Sequence, residues 1–177
     1  MQFFLVPHSD SPPVAIEAVT ADLRWEASSL RITYSVIGNA QAVVIPAPAP
    51  PVHTDELWQT TCFELFAHMR DSAYVEYNFS PSGAWAQYGF SSHRSGRRPL
   101  APLVLPPMIT VTSENDRINV DVVTMEQSVA GGRIGVSAVI EEVDGTKSYW
   151  ALAHAPGPPD FHNPACFAHH LPPFEPE

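Results

Sequence analysis

Residues 56–94, ELWQTTCFELFAHMRDSAYVEYNFSPSGAWAQYGFSSHR, decide how the rest of the chain is read. Cys62, Glu64, Phe66 and His68 alternate with Phe63, Leu65 and Ala67, and Arg70, Asp71 and Ser72 then break the pattern. It resumes over 74–79, turns at Ser80-Pro81-Ser82-Gly83, and closes over 85–90. Period-two alternation between turn residues marks three antiparallel strands joined by short connections. Successive side chains on a strand point to opposite faces. Phe63, Leu65, Val75, Tyr77 and Phe79 are therefore expected in the core, with Glu64, His68, Glu76, Asn78, Trp85 and Gln87 together on the second face. That grouping holds for one register alone, because a slip of one residue sends a strand's whole set to the other side. Such a face is either a binding surface or the solvated side of an antiparallel sheet.

The flanks extend the same pattern. Upstream, 3–6 reads as a short edge strand ended by Pro7, and 18–26 and 30–36 read as a pair. After Gly38-Asn39, 43–45 is expected to complete a three-stranded meander. Residues 46–56, PAPAPPVHTDE, lack ladder donors at each proline and read as a loop that delivers Trp58 to the end of the central strands. His53 and Asp55 within it are expected to face solvent. Downstream, 99–107 is a second proline-broken segment, and 109–114 with 117–124 forms a hairpin. One helical turn is expected over 125–130, and 133–143 pairs with 148–152 across Asp144-Gly145. No helical period persists for ten residues. The expectation is all-β: an antiparallel β-sandwich or jelly roll of about nine to eleven strands. A single domain spans 1–177, with an irregular C-terminal tail over 153–177 that either packs back as a lid or frays.

Composition removes several classes of function. A formal net charge of −10 argues against a nucleic-acid partner, which requires a basic surface; Arg94, Arg97 and Arg98 make the one basic cluster, in a Gly/Ser-rich loop. No apolar run approaches the ~18–20 residues needed to cross a bilayer, so no membrane partner is expected. The start, MQFFLVPHSD, lacks the basic n-region of a secretory signal, and a cytoplasmic location is expected. Cys62 and Cys166 stand outside any CxxC motif and read as two reduced thiols.

The run LWQTTCFELF, the segment YNFSPSGAW and the later SYWALAH and PDFHNPACF resemble bacterial DOMON-like ligand-binding domains, relatives of family-nine carbohydrate-binding modules. The matching segments span residues 56–167. The resemblance implies a jelly-roll sandwich that holds sugar or haem, with Trp58 and Trp150 as the pair of tryptophans that clamps a terminal sugar. The residues suit a carbohydrate as well. Sugar rings present apolar CH faces beside a rim of hydroxyls, which calls for aromatic platforms and planar polar groups. Trp58, Trp85 and Trp150 are the candidate platforms, and Glu64, Asn78, Gln87 and Arg94 the candidate rim.

The alternatives are a haem-binding domain and a structural or interaction domain with no small ligand. By the same resemblance, haem would be held by Met69 or Met108 with His154 or His162. His154, Asp160 and His162 are also a candidate metal triad, and a structural Ca2+ or other divalent ion is a further option because some sugar-binding relatives carry one. No enzyme is expected. Glu64 and Glu76 would be an acid/base pair in principle, but on an exposed sheet face nothing would drive their pKa values apart. There is no Gly-rich phosphate loop and no GxSxG motif.

Overall fold

The computed structural model describes residues 1–69, 71–100, 103, 105–125 and 129–174. Among the described residues there are eleven strands: β1 (Gln2–Pro7), β2 (Ile16–Glu26), β3 (Ser29–Gly38), β4 (Cys62–His68), β5 (Tyr74–Phe79), β6 (Trp85–Phe90), β7 (Met108–Ser113), β8 (Arg117–Thr124), β9 (Arg133–Glu141), β10 (Lys147–Ala151) and β11 (His169–His170). All pairings between them are antiparallel. Their order is β6-β5-β4-β9-β10-β1-β2-β3-β8-β7, with β11 added beside β9. The expected antiparallel sandwich is the observed one.

β1 turns this curled sheet into two layers. Gln2 to Leu5 pair with β2, whereas Val6 and Pro7 pair with β10, so one strand belongs to both layers. It is thus an interior connector, not the edge strand expected from its length. Between the layers, Val19, Leu23, Ile32 and Tyr34 pack with Phe63, Leu65, Val136 and Trp150, all buried. Tyr34 reaches across this core, donating its hydroxyl to the Glu64 carbonyl oxygen at 2.9 Å, with its ring 4.9 Å from Phe63. A buried phenol needs such an acceptor, so the bond also pins β3 over β4.

Residues 43–45 do not complete a meander. Val43 forms an isolated bridge to Glu142 after the 3-10 turn Ala40–Ala42, and Pro46 then removes the next donor. The proline-rich segment follows the β6 edge instead: Thr54 donates to the Trp85 carbonyl, Trp85 to that of Val52, and Ala49 to that of Ser82. Of the helical turn expected over 125–130, residues 126–128 lie outside the described residues.

β4, β5 and β6 are buried on both faces. The second cover is the C-terminal tail. Phe161, Cys166 and Phe167 pack on Phe66, Tyr74 and Phe90, on the side of β4–β6 away from the central core. Gly135 makes room for it, since a Cβ there would stand 2.8 Å from Cδ1 of the Phe167 ring. The tail holds the 3-10 turn Pro164–Cys166, N-capped by the Asn163 side chain, before β11. Of the two readings of this segment, the packed one is observed as far as residue 174.

Candidate functional site

Pairing across β4, β5 and β9 gathers the acidic residues. Glu64 lies opposite Asn78 and Ser137, and Phe66 opposite Glu76 and Gly135. Glu64, Glu76 and Asn78 therefore share a face, as the alternation of β4 and β5 predicts. β6 does not join them in the expected phase. Phe79 pairs with Trp85 and Tyr77 with Gln87, so both residues face the same way as the core set. Tyr88, opposite Glu76, and Phe90, opposite Tyr74, occupy the acidic face instead. The cause is the odd register across the Ser80–Gly83 turn, with Gly83 at φ +97°. Trp85 is further covered by the proline-rich segment, its indole Nε1 donating to the Pro51 carbonyl and its ring edge-on to His53.

This face is the floor of a pocket of about 520 Å3 beneath the tail, lined by Glu64, Glu76, His162, Phe66, Tyr88 and Phe90 deep inside. Glu56, Trp58, Arg94, Arg97, Tyr149 and Phe161 also border it. Trp58 is half-exposed, on the 3-10 turn Leu57–Gln59 that follows the left-handed Glu56. The loop after β6 supplies Arg94, also left-handed, and Arg97.

Trp150 is not part of the pocket. It points between the layers, 2 % exposed, with its indole nitrogen donating to Ser148 Oγ at 2.9 Å. Its pairing with Ala138 in β9 sets it on the core face, and the neighbouring Tyr149 turns to the pocket instead. Of the proposed platforms, Trp58 alone borders the cavity; of the proposed rim, Glu64 and Arg94 do, and Asn78 buttresses Glu76 from beside it. Gln87 is buried on the opposite side.

The two floor carboxyls are 3 % and 5 % exposed, not solvated as a bare sheet face would be. Glu64 Oε2 accepts from Ser137 Oγ at 2.9 Å, and Glu76 Oε1 from Asn78 Nδ2 at 2.7 Å. Burial, followed by the repulsion of Glu76, pushes the Glu64 carboxyl up to about 8. Burial also raises Glu76, against the Asn78 hydrogen bond and the charges of Arg97 and Arg94. Two neighbouring carboxyls out of water do not both ionise readily, so the pair retains a proton near neutral pH. The expected exposed sheet face is not what the structure has: both glutamates are buried, and burial raises both.

His162 Nε2 stands 3.7 Å from Glu76 Oε2, and its Nδ1 is 2.8 Å from the Tyr74 hydroxyl. Burial, then the charge of Arg94, lowers its pKa to about 4, so the ring is neutral at pH 7. The Tyr74 hydroxyl accepts the Arg94 backbone N–H at 3.1 Å and is hydrogen-bonded to Nδ1, which turns the Nε2 edge of the ring toward Glu76. At the rim, Arg94 and His93 hold Asp160. Arg97 pairs with Asp55 at 2.9 Å, and its guanidinium lies 4.0 Å over the Tyr88 ring. Asp55 also accepts the Tyr88 hydroxyl at 2.6 Å. It is thus part of the rim, though itself exposed as expected.

The proposed metal triad does not converge. His154 Nε2 donates to the Val6 carbonyl, Asp160 is held by His93 and Arg94, and His162 by Tyr74. Among the described residues no three His, Cys, Asp or Glu side chains are grouped to hold a metal ion. The haem alternative finds no methionine in the pocket: Met69 and Met108 are exposed, and Met108 lies on the edge strand of the other layer. Cys62 and Cys166 are free, buried thiols, and burial raises the pKa of both. No helix among the described residues is long and apolar enough to cross a membrane.

Tyr88, Phe90, Tyr149 and Phe161 were not singled out by the sequence, and Arg97 was noted only as part of a basic cluster. Glu76 was visible, because it shares a phase with Asn78; Tyr88 and Phe90 needed the β5–β6 register.

Fold and site together define an antiparallel β-sandwich with a small-molecule-sized pocket on the outer face of one layer. No protein-family model matches the chain, and no curated protein matches it in sequence. In fold it is similar to the crystal structure of a putative carbohydrate-binding protein from Bacteroides uniformis. The TM-score is 0.63 over 94% of this chain and 83% of that one, at 15% identity. A likeness at that identity speaks for the fold alone.

Proposed function

We propose that the pocket binds a carbohydrate non-covalently and without converting it. The carrying observation is that one cavity of about 520 Å3 joins a half-exposed indole, Trp58, at its mouth to polar side chains at its floor. That volume falls within the ~300–1,000 Å3 of small-ligand sites. Trp58 offers a flat surface for the CH face of a ring, and Glu64, Glu76 and His162 offer hydroxyl partners. The motif resemblance to DOMON-like domains and family-nine modules supports this reading. So does the name of the Bacteroides neighbour, weakly given its low identity.

The test is a glycan array followed by calorimetric titration of any binder. Trp58→Ala is expected to weaken binding about tenfold or more, ~1.4 kcal/mol, with the circular dichroism spectrum unchanged because the residue is half-exposed. An array without binders, or unaltered affinity in Trp58→Ala, overturns the proposal.

A further inference from the structure

The floor of the pocket carries more negative character than a neutral sugar requires. Glu64 and Glu76 are both almost fully buried, yet among the described residues no lysine or arginine nitrogen comes within 4.0 Å of either carboxylate. Their hydrogen-bond donors there, Ser137 and Asn78, are neutral. The nearest ionisable base, His162, stands at 3.7 Å and is held uncharged. A buried carboxylate with no cation in contact is costly; the charge of Arg94 acts on both from beyond 4.0 Å, and the pair meets the remaining cost by retaining a proton. The same pocket has a second feature that selects charge. Its aromatic lining already seats one cation: the Arg97 guanidinium lies 4.0 Å over the Tyr88 ring, as ring quadrupoles favour.

The rim does not reverse this field. Arg94 and Arg97 are tied to Asp160 and Asp55, and Glu56 adds a further carboxyl at the mouth. The chain as a whole carries −10, which favours the approach of cations.

We infer that the sugar taken by this pocket is an amino sugar with an unblocked ammonium group, seated with its charge against Glu64 and Glu76. The inference rests on the carbohydrate reading above and narrows its ligand class. The ammonium takes the place of the retained proton as the counter-charge of the pair. Binding therefore ionises the carboxyl O–H and passes that proton to water or buffer, while every bond of the sugar stays intact. An N-acetylated or parent hydroxy sugar brings no charge and leaves the proton in place.

The test is calorimetric titration of the full chain at neutral pH with D-glucosamine and D-galactosamine, their N-acetyl derivatives, and D-glucose and D-galactose. Tetramethylammonium serves as a charge-only control. Repeating each titration in buffers of different ionisation enthalpy measures proton release. The expected result is at least tenfold tighter binding of an amine than of its matched neutral sugars, with proton release. Glu64→Gln and Glu76→Gln, near-isosteric changes, are each expected to reduce that preference and the proton count. Neutral sugars binding as tightly as the amines would overturn the inference and leave the carbohydrate reading standing. Tetramethylammonium binding without any sugar would overturn the carbohydrate reading, and the inference with it, leaving a cation site. No binding of any probe would overturn the inference.

Discussion

Glu64 shows how one residue's role depends on what covers it. Its carboxyl is raised from an ordinary 4.5 to about 8, first by burial and then by Glu76. The folded state thus favours the protonated form. The stability this confers is full below about pH 4.5 and is lost as pH rises toward about 8. His162, lowered from 6.5 to about 4, acts with the opposite sign and only on the acid side, so the range from about pH 7 to 8.5 reads the carboxyl with little interference. The melting temperature is expected to fall across that range, and to fall less in Glu64→Gln. Parallel curves for the two proteins would mean that Glu64 is solvated. The sequence placed Glu64 and Glu76 on one face through simple alternation. It left their protonation hidden, because residues that line the pocket over them, such as Phe161 and His162, lie about a hundred positions away.

At the scale of elements, β4, β5 and β6 were legible end to end, while the phase of β6 was not. Alternation along a strand is local, but the phase between strands depends on the register across a turn. The misplacement of Trp85 and Gln87 and the unforeseen entry of Tyr88 and Phe90 have that one origin. The tail was legible as irregular, and its docking was not. Gly135 is the point where β9 admits it: an added methyl would meet Cδ1 of Phe167 at 2.8 Å and the Cys166 carbonyl at 3.2 Å. Gly135→Ala is expected to destabilise the fold by about 1–3 kcal/mol through overpacking. Limited proteolysis should then cut the tail sooner than in the unaltered chain. Unchanged stability and an equally resistant tail would count against tight docking of Phe167.

For the molecule as a whole, the two layers sort the tryptophans. Trp150 lies in the shared core and Trp58 at the pocket mouth, although the sequence offered the two as platforms for one sugar. Trp150→Ala is expected to cost about 3–5 kcal/mol in chemical denaturation, whereas Trp58→Ala stays within about 0.5 kcal/mol, as surface substitutions do. Comparable losses at both positions would contradict this division.

Local pattern was sufficient for the all-β class, for the central strands and most of their neighbours, and for the shared face of Glu64, Glu76 and Asn78, because strand periodicity and turn chemistry are written within a few residues. Three-dimensional assembly alone decided that β1 serves both layers, that Trp150 is sealed while Trp58 borders a cavity, and that a polar sheet face becomes a buried pocket floor. Each of these follows from contacts between segments far apart in the chain, where side-chain volume and the exclusion of water, not neighbouring residues, set the outcome.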